Sequence, residues 1–220
     1  MAAQLLPPGI PASKRILDLA LTLSLSLIGV PLMLIIAPLV RLAHGRPVLF
    51  RQVRPGYRGL PFTLYKFRTM TNVQGDDGAL RPDAERMTAF GRFLRALSLD
   101  ELPELYNVLR GEMSLVGPRP LLMRYLDRYT VQQARRHETL PGMTGWAQIN
   151  GRNNVSWEDK FELDVWYVDH WSLWLDLKIL LITPFKVLRR EGINQPGNAT
   201  AMEFMGTQQS PKSPGGQQSR

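Results

Sequence analysis

The chain has 220 residues, enough for one well-packed domain with extra segments. It contains no cysteine, which excludes disulfides and thiol chemistry and suits a reducing compartment. Its 27 basic and 19 acidic residues leave a net charge of +8, which points to an anionic partner: nucleic acid, a phospholipid surface or a phosphorylated substrate.

Residues 1–13 read as a leader and 14–41 as a membrane-inserted segment. No residue from Leu19 to Val40 is charged, and the run is long enough to span a bilayer. Two features oppose a simple span. Pro31 sits in mid-run, where it cannot donate to Leu27 and crowds that carbonyl, so a break is expected there. Thr22, Ser24 and Ser26 precede it and are placed to satisfy carbonyls inside lipid. Basic residues flank both ends, with Lys14 and Arg15 before and Arg41, Arg46, Arg51 and Arg54 after. Basic flanks favour the cytoplasmic side, so a helix that enters, breaks and returns competes with a kinked span.

Val48–Val53 and Phe62–Thr69 read as strands around the turn Arg54-Pro-Gly-Tyr-Arg-Gly59. Lys66 and Arg68 share a face of the second strand, as a phosphate-facing pair or a solvated face. Thr71–Pro82 is a polar loop. Ala89–Leu97 has Phe90, Phe93, Leu94 and Leu97 at helical spacing, with Arg92 and Arg95 elsewhere on the surface.

Ser98–Pro120 carries the chemistry. Asp100 and Glu101 are adjacent, Arg95 lies just before, and Arg119 stands between Pro118 and Pro120. A carboxylate can attack phosphorus to give an acyl phosphate, and it can hold magnesium together with substrate phosphate, a role open to Asp100. Neighbouring helical side chains point about 100° apart, so the two carboxylates take different roles more easily than they share a proton. Arg119 between two prolines has little backbone freedom and is pre-set as a forked phosphate clamp. The competing reading makes Ser98 and Glu101 a capping box, or Asp100 an N-cap with Pro103 in the first turn. Leu102, Leu105, Tyr106 and Leu109 follow at helical spacing, and Gly111 marks the helix end.

Leu121–Leu140 reads as a long charged helix. His44, His137 and His170 have no second ligand at metal spacing and are taken as surface residues. Pro141–Arg152 is a Gly-rich loop with amides at Gln148 and Asn150, suited to cradling an anion or lining a nucleotide pocket. Ser156 caps the next helix. Trp171–Arg190 is amphipathic, with Trp171, Trp174, Leu175 and Phe185 on an apolar face and Lys178, Lys186, Arg189 and Arg190 at its edges, as in a helix lying among lipid headgroups or one packed on the soluble core. Residues 206–220 read as a disordered tail. The fold class expected is α+β, mainly helical with a small β element. Membrane anchoring is expected from an N-terminal re-entrant helix-break-helix, with a kinked span as the alternative, and from interfacial amphipathic helices, and residues 42–205 are expected to form the cytoplasmic catalytic domain.

Eight motifs then occur in order: Lys14-Arg-Ile-Leu-Asp18, mid-run Pro31, Tyr65-Lys-Phe-Arg-Thr-Met70, Ser98-Leu-Asp-Glu-Leu-Pro103, Gly117-Pro-Arg-Pro120, Pro141-Gly-Met-Thr-Gly145, Asn150-Gly-Arg152 and Leu175-Asp-Leu-Lys178. Together they resemble the bacterial sugar transferases, the monotopic phosphoglycosyl transferases that act on polyprenyl phosphate. The likeness is greatest to the small members such as bacillosamine phosphate transferases. The resemblance implies that a sugar 1-phosphate passes from a UDP-sugar to undecaprenyl phosphate, releasing UMP, with Mg2+ as cofactor. It makes Asp100 the nucleophile and Glu101 its catalytic partner. It also makes Lys66, Arg95 and the Pro118-Arg119-Pro120 turn phosphate- or nucleotide-binding positions, Asp176 a polar position near the site and Pro31 the membrane break; Arg68, Gln148, Asn150 and Arg152 join the phosphate- and nucleotide-binding set from the strand-face and Gly-rich-loop readings. Relatives often carry Ser before that proline, whereas this chain has Val30. The implied partners are the UDP-sugar, undecaprenyl phosphate and the phospholipid membrane, without nucleic acid and with a homodimer allowed. The implied location is the bacterial cytoplasmic membrane, with the catalytic domain on its cytoplasmic face. The rival classes are a membrane-anchored nucleic-acid binder, which lacks any recognisable binding signature here, and a non-catalytic adaptor, against which the intact Asp100-Glu101 pair argues.

Overall fold

The computed structural model describes residues 5–151, 156–189 and 203–206. The first element, α1, spans Ala12–His44 and would measure about 50 Å if straight. The break expected at Pro31 is not seen: the helix continues through both Pro31 and Pro38. Each proline withdraws a single donor, and the turns on either side keep theirs. Of the three hydroxyls expected to satisfy exposed carbonyls, the two serines bond carbonyls one turn back within the helix, and Thr22 Oγ1 is buried without a partner among the described residues. Ser24 Oγ donates to the Ala20 carbonyl at 2.9 Å and Ser26 Oγ to that of Thr22 at 2.7 Å.

One face of α1 lies on the rest of the protein from end to end. Asp18, Thr22, Gly29, Ile36, Val40 and His44 are buried at intervals of four and seven residues. The opposite face exposes Leu23, Leu27, Ile28, Leu34, Ile35 and Leu42. Lys14 and Arg15 correct the expectation of free flanking charges. Both are buried. Lys14 Nζ donates to the Val116 carbonyl (2.9 Å), Tyr167 Oη (3.0 Å) and Asp176 (2.7 Å). Arg15 donates to the carbonyls of Val108 and Met113 at 3.0 and 3.3 Å. Asp18 accepts from Ser114 Oγ and the Leu115 amide. These contacts tie the start of α1 to the backbone between Val108 and Val116.

Strands β1 (Leu49–Pro55) and β2 (Pro61–Phe67) form the expected antiparallel hairpin, in register from Leu49–Phe67 to Pro55–Pro61. A single helical turn, α2 (Asp83–Arg86), precedes α3 (Ala89–Ala96), whose first turn is capped by Thr88 through Gly91 N at 2.9 Å. A 3-10 turn at Leu99–Glu101 leads into α4 (Glu104–Leu109), closed by Gly111 at φ 79°. Strand β3 (Ser114–Val116) follows.

The long helix expected over Leu121–Leu140 is instead three short pieces: a 3-10 segment Met123–Arg128, helix α5 (Val131–Ala134) and a second 3-10 segment Arg135–Glu138. Thr130 and Gln133 form a capping box that starts a new helix in mid-run. Arg136 then turns inward to pair with buried Asp164. Strand β4 (Gly142–Thr144) runs parallel to β3, pairing Ser114 with Gly142 and Val116 with Thr144. Helix α6 (Trp146–Asn150) comes next. Helices α7 (Trp157–Asp169) and α8 (Leu173–Leu188) are capped by Ser156 and Ser172. The outward apolar face of α8 consists of Trp174, Leu181 and Phe185, whereas Leu175, expected on that face, is buried beside Asp176 and Ile179.

Three apolar clusters hold these elements. One joins β2, α4, β3 and α8, with Leu21 of α1 against it. A second joins Ile36 and Val40 of α1 to Phe67 and Leu94, with Leu99 and Leu102 packed alongside. The third, around Tyr125, Phe161 and Phe204, contains no residue of α1 or α8. Of the expected tail, Gly206 is described and 207–220 lie outside the described residues. Just before it, Phe204 is buried and Glu203 pairs with Arg124 and Arg128.

Candidate active site

The site forms where α3, the 3-10 turn before α4, the hairpin and the turn after β3 meet. Ser98 takes a left-handed conformation, φ 54°, and makes no capping hydrogen bond. The capping-box reading is thereby excluded, and so is Asp100 as a cap, since Pro103 occupies the N-cap of α4. A serine at positive φ stores roughly 1–3 kcal/mol of local strain, a common feature of functional turns.

The two carboxylates have different partners. Glu101 is clamped by a guanidinium fork from Arg119 and by Lys66 Nζ at 2.7 Å. Burial alone would raise its pKa, but Arg119 and then Lys66 outweigh burial and hold it well below the usual carboxylate range. Asp100 is 7% exposed and makes no side-chain hydrogen bond or ion pair among the described residues. Burial, followed by the charge of Glu101, raises its pKa, against the pull of Lys66, Arg95 and Arg119. Arg95 is held by Thr69 Oγ1 at 3.0 Å. A nearly buried carboxylate with no partner of its own, ringed by three cations, is suited to attack an electrophile that brings its own negative charge.

Arg119 owes its position to its backbone. Gly117 and Gly142 approach so closely that a Cβ on Gly142 would lie 2.1 Å from Gly117 N, so neither strand end tolerates a side chain there. The Arg119 carbonyl accepts from Arg136 Nη2 at 2.8 Å, and Arg136 is fixed by Asp164 at 2.7 Å. Gln148 stands beside Gly145, which itself abuts Gly117, and both polar atoms of its amide are buried without a partner among the described residues.

The other residues expected at the site are committed elsewhere. Arg68 donates to the carbonyls of Arg46 and Pro47. Asp176 is buried against Lys14, Tyr167 and Trp171. Asn150 caps its own helix through the Trp146 carbonyl, and Arg152 lies outside the described residues.

Three residues of the site escaped the sequence reading. Glu104 is 2% exposed, lies 3.0 Å from Lys66 Nζ, and is pushed up to about 7, by burial first and, against the pull of Lys66, by Glu101. Arg54 reaches from the hairpin towards Pro120. His137 is half-buried, 3.3 Å from the Gly56 carbonyl through Nδ1, with Nε2 unpartnered among the described residues. His44 also proves buried, bonded to Thr88 Oγ1 at 2.7 Å, so of the three histidines only His170 is exposed as expected. Nothing in the periodicity marks Glu104. Arg54 and His137 sit at the end of a strand and in a broken helix, where the pattern carries no facial information.

Among the described residues no three His, Cys, Asp or Glu side chains converge on one point. Of the two adjacent carboxylates, Asp100 is the one without an ion pair among the described residues, and it could serve as one ligand of a divalent cation such as magnesium, which usually takes one or two carboxylates.

Comparison with known proteins gives the same chemistry a family. The model of the bacterial sugar transferase family matches residues 11–190. The chain is 59% identical over 194 residues to the uncharacterized sugar transferase EpsL of Bacillus subtilis, covering 88% of this chain and 96% of that protein. It is 42% identical over 183 residues to the UDP-glucose:undecaprenyl-phosphate glucose-1-phosphate transferase of Klebsiella pneumoniae, covering 79% of this chain and 39% of that one. It is 39% identical over 196 residues to the undecaprenyl-phosphate galactose phosphotransferase of Salmonella typhimurium, covering 81% and 41%. The chain thus spans about two-fifths of the length of the last two proteins and nearly all of the first. A match over residues 11–190, a range that includes the segments that build the Asp100 site, places this protein in the bacterial sugar transferase family.

Proposed function

We propose that this protein transfers a sugar 1-phosphate from a UDP-sugar to undecaprenyl phosphate in two steps through a covalent intermediate on Asp100. The observation that carries the reading is the division of labour between the carboxylates: Glu101 is engaged by Arg119 and Lys66, while Asp100 beside it is uncommitted. In the first step an Asp100 oxygen forms a bond to the phosphorus that bears the sugar. The bond from that phosphorus to the bridging oxygen breaks, and UMP leaves with the electron pair. In the second, an oxygen of the lipid phosphate attacks the same phosphorus and Asp100 is regenerated as a carboxylate. Arg119, Lys66 and Arg95 neutralise the oxygens on which charge accumulates, and Glu101 holds two of these cations in place. A magnesium ion held by Asp100 and the diphosphate would add Lewis-acid neutralisation of the phosphoryl oxygens.

The membrane arrangement belongs to the same proposal. Both ends of α1 are fastened to one domain: Lys14 to Val116 and Asp176, and Val40 and His44 to the packing around Phe67, Leu94 and Thr88. A helix held this way cannot place its two ends on opposite sides of a hydrocarbon layer about 30 Å thick. The exposed apolar face of α1 enters the cytoplasmic leaflet, with Trp174, Leu181 and Phe185 of α8 as a second contact. Its two ends stay in the cytoplasm, where UDP-sugars are found.

Incubation with a UDP-sugar and magnesium but no lipid should release UMP in a single burst and add one phosphosugar to Asp100, seen by intact mass. Asp100→Asn should abolish both, whereas Glu101→Gln should slow turnover severely. UMP formation that depends strictly on the lipid, with no adduct, would refute the two-step scheme. Absence of UMP release with every UDP-sugar would favour an adaptor.

A further inference from the structure

Arg54, the penultimate residue of β1, has no part in the scheme above, and its surroundings leave it incomplete. Its Nη2 donates to Gln52 Oε1 at 2.6 Å, Nη1 reaches only to 3.5 Å from the Pro120 carbonyl, and Nε is buried without a partner. No carboxylate lies within ion-pair distance of it among the described residues. The other cations of this corner are matched, Lys66 and Arg119 by Glu101 and Arg136 by Asp164. A guanidinium withdrawn from water without a counter-charge is costly to hold. Burial, and after it the like charge of Arg119, bring its pKa down to about 10, so it remains a cation at neutral pH.

Arg54 lies beside the Pro118–Pro120 turn, close enough to Arg119 to feel its charge. A shallow surface groove lies against Pro55, Pro118, Arg119, Pro120, Arg136 and His137. Neither α1 nor α8, the helices with exposed apolar faces, lines it. The aromatic cluster next to Arg54, around Tyr125 and Tyr129, likewise contains no residue of those helices. This side of the site faces the water-soluble substrate.

We propose that Arg54 is a second phosphate-binding guanidinium, which with Arg119 seats the nucleotide phosphate that departs as UMP. The inference rests on the sugar-nucleotide reading above. Two guanidiniums, one of them without a counter-ion, suit a phosphate that gains negative charge as the bridging bond breaks. In the absence of nucleotide, Gln52 and the Pro120 carbonyl hold Arg54 aimed at the turn.

The test compares UMP with uridine as competitors of the donor, using the full chain in lipid nanodiscs. Arg54→Gln should weaken UMP at least tenfold and raise the donor KM by a similar factor. Uridine inhibition and the KM for the lipid acceptor should stay as in the wild type. Arg54→Lys, which keeps the charge without the fork, should weaken UMP several-fold with uridine again unchanged, and it serves as the reading should Arg54→Gln not fold. Equal loss of UMP and uridine would make Arg54 a prop for the Pro120 turn and overturn the proposal. So would a change confined to the lipid acceptor. If the wild type binds UMP and both variants bind it equally well, only this inference falls. If the wild type binds no UMP at all, the sugar-nucleotide reading falls with it.

Discussion

Replacing Lys14 by Met tests whether α1 is fastened to the catalytic domain by buried charge rather than merely laid upon it. Lys14 is 1% exposed and Asp176 2%, and Nζ makes three bonds of 2.7–3.0 Å to Asp176, Val116 and Tyr167. The substitution leaves Asp176 with the Tyr167 hydroxyl and the Trp171 indole N–H but no counter-charge. Removing one partner of a buried ion pair costs about 3–5 kcal/mol. For a domain of this size each kcal/mol moves the melting temperature by about 2–4 °C, so a fall of about 6–20 °C is expected. Tryptophan fluorescence during heating of the nanodisc-held protein provides the assay. The double variant Lys14→Met/Asp176→Leu removes both charges and should regain part of the loss, giving a clear coupling energy in the cycle. A single variant that melts within two degrees or so of the wild type, or losses that simply add, would refute the latch.

Other outcomes follow from the same structure. Arg119→Lys should lower kcat/KM by about 10–150-fold, the equivalent of a charge-assisted contact worth roughly 1.5–3 kcal/mol, because an ammonium cannot reproduce the fork on Glu101; wild-type kinetics in that variant would make the fork incidental. His137 is pushed down to about 4, by burial and then by Arg136, so between pH 4 and 6.5 the unfolded chain binds a proton that the folded one does not. Its contribution is complete above pH 6.5 and is lost as pH falls towards 4, by up to about 3 kcal/mol, so denaturation midpoints of wild type and His137→Gln should diverge between pH 7 and 4.5. Parallel pH profiles would mean that the imidazole titrates normally. Single cysteines at Leu5 and Arg51, in a chain that has none, should both resist a membrane-impermeant thiol reagent in intact cells and react after lysis; reaction of the Leu5 position in intact cells would overturn the same-side placement of the α1 ends.

Much of the framework is legible because local chemistry decides it. The hairpin is marked by Pro-Gly and Arg-Gly between β-rich runs, and α7 by Ser156 at its cap. The segment 121–140 is misjudged because its charge pattern favours helix, while the decisive Thr130–Gln133 box looks like any polar pair until its geometry is known. Lys66 and Arg68 share a strand face, yet Lys66 joins the site and Arg68 serves two carbonyls. Lys14 and Asp18 look like a charged helix start before an apolar run. Their partners, Asp176 and Ser114, lie 162 and 96 residues away, and no periodicity reaches that far.

The carboxylate stretch shows what sequence leaves open and tertiary structure decides. Ser98-Leu-Asp-Glu satisfies a capping box and a phosphoryl-transfer site equally well as written. The left-handed backbone at Ser98 removes the first option, and it does so because the residues around it are held on both sides. Leu99 and Leu102 pack into the cluster of Ile36, Val40 and Leu94, while Glu101 is drawn the other way by Arg119 and Lys66. Asp100, between two anchored leucines and beside an anchored glutamate, is left without a partner of its own. The cluster that anchors those leucines includes Leu32 and Met33 of α1, and Leu105 of α4 approaches Gly29. The helix that carries the exposed apolar face thus forms part of the wall behind Asp100. On the proposed arrangement, seating α1 in a leaflet and setting Asp100 at the depth of a lipid phosphate are one structural event, so Lys14→Met is expected to lower turnover as well as stability.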